Sequence, residues 1–292
     1  MDMSDKRVVV VTGASRGAGK GIAISLSQPG TIVYVTGRTD AVGDNPLPGT
    51  IGETVAEIEK RGGQGVAVKV DHANDSQVEA LFDQIQQEQG RIDILVNNAC
   101  AIPEGLVDQK PFWEKGLNQL DIMEVGARSH YVSSYYGAKI MAAQPVIEGK
   151  TPLIVHTSSA GGRCYMHGAA YGGGKAAVDK FANDMAIDLK PFNIACVSIW
   201  MGLLMTERTE ALIEREPEKY GGMAAIAESP QFTGLVINAL FNDTQLMDKT
   251  GNILVAAEEA MSYGVKDING AQPPSPCSML GEPAQANPAV VA

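Results

Sequence analysis

Tyr171 and Lys175 stand four residues apart in the run AAYGGGKAAVDKFANDMAIDL. If that run is a helix starting at about Ala169, phenol and ammonium share one face, a turn apart. A positive charge beside a phenol favours the phenolate, which makes Tyr171 a candidate general acid/base with Lys175 as its electrostatic partner. The spacing alone does not single them out, because Tyr135 and Lys139 repeat it. What separates the two pairs is Ser158, thirteen residues before Tyr171, where Tyr135 has Ile122. Ser158 follows the apolar run Leu153, Ile154, Val155, which reads as a buried strand breaking at Ser158-Ser159-Ala160-Gly161-Gly162. A serine and a tyrosine hydroxyl meeting over one substrate oxygen could polarise a carbonyl and protonate the alkoxide formed from it. Ser159 is the alternative hydroxyl, and the spacing favours Ser158.

The elements that must position these groups alternate between strand and helix. Val8 to Val11 is a β-branched run of the kind buried on both faces of a parallel sheet. Thr12-Gly13-Ala14-Ser15-Arg16-Gly17-Ala18-Gly19 follows, then a helical run from Lys20 to Leu26. Glycines at a strand-to-helix turn let the backbone approach a ligand, and the helix start offers free N–H groups to a pyrophosphate. A P-loop fails on spacing, because Ala14 stands where its first glycine belongs and Gly21 where a Ser or Thr would bind magnesium.

A second strand, Thr31 to Thr36, ends at Gly37-Arg38-Thr39. An acidic residue at this place would hold the ribose hydroxyls of NAD, whereas an arginine suits the 2′-phosphate of NADP. Arg38, with Arg16 from the turn, favours NADP(H); Asp40 would support NAD if the strand ran further. After the Pro/Gly-rich loop 41–50 come a helix at about Ile51 to Arg61 and a strand at Gly65 to Val70. The next residue, Asp71, could accept from an adenine amino group or cap a helix starting near Ser76. Ile92 to Val96 is a further buried strand, ending in Asn97-Asn98-Ala99-Cys100. Later strands are expected at Ile194 to Ile199 and Asn252 to Ala256, with a helix at Gln231 to Phe241 between them. This alternation implies an α/β fold, a single doubly wound parallel sheet of Rossmann type with helices on both faces.

The bulk composition is consistent with that. A chain of 292 residues, 45% apolar, with 32 glycines and six phenylalanines, suits one large domain with many tight turns. The net charge of −11 argues against a general binder of nucleic acid or anionic membrane. Cys100, Cys164, Cys196 and Cys277 form no C-x-x-C pair, so no metal site is expected, and free thiols suit a reducing compartment. Neither a signal-peptide core nor an eighteen-residue apolar span is present, which makes cytoplasmic residence the expectation. The stretch 202–229 mixes methionines with charged residues, and 271–292 is a Pro/Ala-rich tail expected to be disordered or draped over a neighbour.

Taken together, these residues resemble the short-chain dehydrogenase/reductase family over about Lys6 to Val255. Thr12, Gly13, Gly17 and Gly19 meet its TGxxxGxG pattern, Asn97-Asn98-Ala99 its NNAG motif with Cys100 for the glycine, and Ser158, Tyr171 and Lys175 its active-site trio. A narrower likeness to one of its members rests on Phe112-Trp113, GARSHYVSSYYGAKIM, CVSIWMG and SYGVKDING. The resemblance implies hydride transfer between NADP(H) and a carbonyl or alcohol, within one domain over residues 1–270. It implies cofactor contacts from Gly13, Ser15, Arg16, Gly17, Gly19, Arg38, Asp71, Asn97, Ala99, Tyr171, Lys175 and Thr206, with 202–229 as a mobile lid over a small, apolar substrate. A homodimer or homotetramer packed through helices around Ser129 to Met141 and Ala169 to Leu189 is implied as well. Two departures stand out: Gly126 falls where many members carry a catalytic asparagine, and Met201-Gly202 replaces a usual Pro-Gly. They motivate an alternative, a non-catalytic dinucleotide-binding relative serving as sensor or assembly subunit. A serine hydrolase using His156 or His167 lacks the G-x-S-x-G elbow, and a sugar-nucleotide epimerase has a different glycine spacing.

Overall fold

The computed structural model describes residues 6–291. Seven strands form one parallel sheet in the order β3-β2-β1-β4-β5-β6-β7. They are β1 Arg7–Val11, β2 Thr31–Gly37, β3 Gln64–Lys69, β4 Ile94–Asn97, β5 Leu153–Ser158, β6 Ala195–Trp200 and β7 Ile253–Val255. The helices before the middle of the chain are α1 Gly17–Leu26, α2 Ile51–Lys60, α3 Asp75–Glu88 and the short α4 Asp121–Met123. Then follow α5 Ser129–Ala143, α6 Ala169–Leu189, α7 Glu207–Arg215, α8 Pro217–Tyr220, α9 Phe232–Phe241, α10 Ala256–Tyr263 and α11 Cys277–Leu280. The doubly wound architecture read from the sequence is the one observed.

Alternation along the strands sorts the core into two layers. Val9, Val11, Val33, Val155 and Val197 pack under α1, α2 and α9. Val8, Val10, Ile32, Leu95 and Ile154 pack under α3, α5 and α6 on the other face. Strand order reverses direction between β1 and β4, and such a switch point opens a crevice at the carboxyl ends of the strands. The turn after β1 and the Asn98-Ala99 turn after β4 therefore lie side by side.

Several boundaries differ from the sequence reading. The helix α10 starts directly at Ala256, where a last strand residue was expected, because the ladder with β6 ends at the Trp200–Val255 pair. Asn74, not Asp71, caps α3 by accepting from the Gln77 N–H. The tail is not wholly disordered: Cys277 is buried against Ala160, Trp200 and Val255, and Leu280 packs against that cluster, as Cys164 and Met166 do. Apolar residues in a Pro/Ala-rich stretch were enough to dock it. Among the described residues no helix is long and apolar enough to cross a membrane.

Candidate active site

Ser159 is the first residue beyond β5, and its Oγ lies 2.9 Å from the Tyr171 Oη. Its lone pair accepts the Gly161 N–H at 3.3 Å, which leaves the hydroxyl hydrogen free to point at Tyr171 or at a ligand. Ser158, the hydroxyl favoured by spacing, is elsewhere. As the last residue of β5 it shares the face of Ile154 and His156 and is fully buried. Its Oγ donates to the Lys175 carbonyl at 3.4 Å, with the Asp179 carboxylate close by. The period of two in a strand decides this: one residue earlier points into the core, one later faces the crevice. The sequence distance measured loop length, which here is one residue shorter than assumed.

Lys175 is 6% exposed. Its Nζ donates to the Thr157 carbonyl at 3.1 Å and lies 5.9 Å from the Tyr171 ring centre. Asp179, one turn further along α6, accepts from Ser198 Oγ at 2.6 Å and Trp200 Nε1 at 3.0 Å. Burial pushes its carboxyl above the usual carboxylate range. This network locks α6 onto β5 and β6 and so fixes Tyr171 and Lys175, which α6 carries. His167 packs edge-on against Tyr171, ring centres 5.0 Å apart, from a left-handed backbone at φ 58°. Lys115 holds that loop by donating to the His167 carbonyl at 3.1 Å and the Leu106 carbonyl at 2.8 Å.

The glycine turn is tied to the end of β4 through Thr12, whose Oγ1 accepts the N–H groups of Asn98 at 2.8 Å and Ala99 at 3.0 Å. Asn98 Nδ2 returns two bonds of 3.0 Å to the carbonyls of Thr12 and Gly13. A Cβ on Gly19 would come within 2.2 Å of the Gly13 carbonyl oxygen, so only glycine allows α1 to start there. Asn98 is the residue that sequence reasoning missed; a buried carbonyl pair needs a donor, and the second asparagine of the motif supplies it. Asn97, the one expected at the cofactor, is fully buried with its Nδ2 bonded to Ser134 Oγ at 2.8 Å. It points beneath the site because it shares the face of Leu95.

At the end of β2, Arg38 is exposed and has no ion pair among the described residues, whereas Asp40 is paired with Lys69 at 2.9 Å. Arg16, expected beside Arg38, instead clamps the loop by donating to Pro48, Thr39 and Gly49 at 2.8 to 3.0 Å. Ser15 is buried beside Gly37, and Asp71 accepts the Ala73 N–H at 3.0 Å. Thr206 caps α7, which begins directly over Gly17. The Gly17 N–H donates to the Glu207 carboxylate at 2.9 Å. The glycine floor and a helix start that already holds an anionic group are what a dinucleotide needs, so the residues present fit one. At the base of 202–229, the Gly202 N–H donates to the Glu228 carboxylate at 3.1 Å, and burial with nearby Asp267 pushes that carboxyl up to about 8.

Gly126 sits in an irregular segment between α4 and α5, with φ 145°. A side chain there would be strained, and its Cβ would lie 3.1 Å from Cys100 Sγ. The missing asparagine thus belongs with a changed backbone and with the cysteine that replaces the motif glycine. Below this point lies a buried polar layer. His130 and His156 stack with ring centres 5.6 Å apart, and burial holds both far below the ordinary histidine range, His156 at about 3. His130 Nε2 donates to the Ala99 carbonyl at 3.2 Å, and His156 Nδ1 faces Asn97 Nδ2 at 3.5 Å. The remaining nitrogen of each ring has no partner among the described residues.

Residues 7–217 match the short chain dehydrogenase family. The chain is 40% identical over 275 residues to dehydrogenase/reductase SDR family member 1 of Mus musculus, covering 90% of this chain and 84% of that protein. It is 30% identical over 216 residues to cyclopentanol dehydrogenase of Comamonas testosteroni, covering 73% of this chain and 79% of the other. Among solved structures, 3-oxoacyl-[acyl-carrier protein] reductase from Brucella melitensis in complex with NAD superposes with a TM-score of 0.72 at 25% identity, over 86% of this chain and 95% of that one.

Proposed function

Because this chain belongs to the short-chain dehydrogenase family, whose fold binds NAD(P), we propose that it is an NADP(H)-dependent oxidoreductase that interconverts a carbonyl and an alcohol at Tyr171. The observation that carries the reading is the 2.9 Å contact between Ser159 and Tyr171. Two hydroxyls that close can both donate to one carbonyl oxygen, and among the described residues neither has another acceptor competing for its hydrogen. Bound NADP(H) supplies or takes the hydride.

In reduction, Ser159 orients the carbonyl and stabilises the developing oxyanion. Tyr171 gives its proton to that oxygen, and the Lys175 ammonium stabilises the phenolate left behind. Lys175, whose Nζ has one of its three hydrogens on the Thr157 carbonyl, would hold the nicotinamide ribose with the others. Gly13, Gly17, Gly19, Asn98, Ala99 and Thr206 would line the dinucleotide. The methionines Met205 and Met223 of 202–229, both half-buried, support a small, apolar substrate. Exposed Tyr131 and Tyr135 on α5 support a homo-oligomer formed through that face. Gly126 favours the non-catalytic alternative, but a pure binder has no use for the Ser159 contact.

Cofactor choice rests on Arg38, an exposed cation at the β2 end with no ion pair among the described residues. Arg38→Ala is expected to weaken NADPH by about 1.5–3 kcal/mol, the value of a hydrogen bond to a charged group, and to leave NADH nearly unchanged. Calorimetric titration of both cofactors checks this, and equal weakening of the two removes the NADP(H) assignment. Oxidation of NADPH with a panel of aldehydes, ketones and quinones tests the activity itself.

A further inference from the structure

The first turn of α1 carries no acidic side chain, and its N-cap residue Arg16 makes no side-chain bond to the helix. Its Gly17 N–H is nevertheless satisfied, by a carboxylate 190 positions away in sequence, Glu207 Oε2 at 2.9 Å. Glu207 is not a loose surface residue that happens to reach. It opens α7, and Thr206 before it caps that helix by accepting the Thr209 N–H at 3.3 Å. Thr206 Cγ2 also lies 3.5 Å from the place a Gly17 Cβ would take. The start of α7 therefore rests on the start of α1, and the Glu207 charge acts on the Arg16 guanidinium as well.

An N–H at a helix start, with the dipole behind it, is a donor for anions. A dinucleotide diphosphate and the Glu207 carboxylate need the same donor and carry the same sign of charge. We propose that Glu207 sets cofactor affinity as an internal competitor, its carboxylate holding the Gly17 N–H until the diphosphate displaces it and the start of α7 moves with it. The inference rests on the dinucleotide reading above and adds a residue that opposes binding. Its neighbour Glu210, on the same first turn but without a bond to Gly17, contributes only diffuse charge.

The test is calorimetric titration of NADPH, and separately of inorganic diphosphate, into wild type, Glu207→Gln and Glu210→Gln. Glu207→Gln is expected to tighten both ligands by about three- to thirtyfold, and Glu210→Gln by less than about twofold. In limited proteolysis, trypsin is expected to cut after Arg208 and Arg215 faster in Glu207→Gln than in wild type without cofactor, and NADPH should remove the difference. An unchanged or weaker affinity in Glu207→Gln, or equal tightening in both variants, overturns the competitor role while NADPH binding to wild type keeps the cofactor reading. Failure of NADPH and diphosphate to bind any of the three proteins overturns both.

Discussion

Tyr171→Phe is expected to lower kcat for NADPH-dependent carbonyl reduction by about 10²- to 10⁴-fold, the range for loss of a positioned acid/base. The ring keeps its place, because its packing against His167 and its distance from Lys175 do not involve the hydroxyl. NADPH affinity should therefore change little, and the loss should appear in kcat instead of in binding. Single-turnover oxidation of NADPH, followed with the titrated Kd, separates the two. A variant that retains turnover within a few-fold of wild type removes Tyr171 from the chemistry.

The second large effect separates two adjacent serines. Ser159→Ala should reduce kcat by about 10²- to 10³-fold, as removal of one oxyanion donor does, with little change in thermal midpoint. Ser158→Ala should do the reverse. Its hydroxyl is buried between the Lys175 carbonyl and Asp179, so its loss is expected to cost about 0.5–1.5 kcal/mol of stability while turnover stays within a few-fold. Thermal unfolding and kcat measured on both variants give a crossed pattern. The opposite crossing would return the catalytic role to Ser158.

That exchange of serines shows where sequence reasoning stops. The β-branched runs, the glycine turn and the Tyr171 to Lys175 spacing each reflect a local rule, so the sheet, its switch point and the shared helix of Tyr171 and Lys175 were legible. Which of two consecutive hydroxyls faces the crevice depends on where β5 ends, a matter of one residue set by pairing with β4 and β6. Asn97 fell to the same alternation, which turned it inward and left Asn98 to join the two turns. Arg16 was read as a phosphate ligand because a guanidinium suits an anion, but the carbonyls of Pro48 and Gly49 are distant in sequence. Contacts of that range, like Glu207 on Gly17, have no periodicity to announce them.

The stacked histidines constrain how this interior can vary. His130 spends its Nε2 hydrogen on Ala99, which leaves Nδ1 a bare acceptor, and His156 turns Nδ1 to the Asn97 amide, which leaves Nε2 a bare donor. The rings carrying these two atoms stack at 5.6 Å between centres, so each is the other's packing partner. Replacing one ring by leucine breaks the stack while the other ring keeps its unpartnered nitrogen buried, at about 1–3 kcal/mol, whereas replacing both removes donor and acceptor at once. The double variant should then cost less than the sum of the singles in urea unfolding. Strict additivity would make the rings independent. Epistasis of that sign ties the two positions to a joint history: each histidine is hard to lose alone, and either loss makes the next one easier.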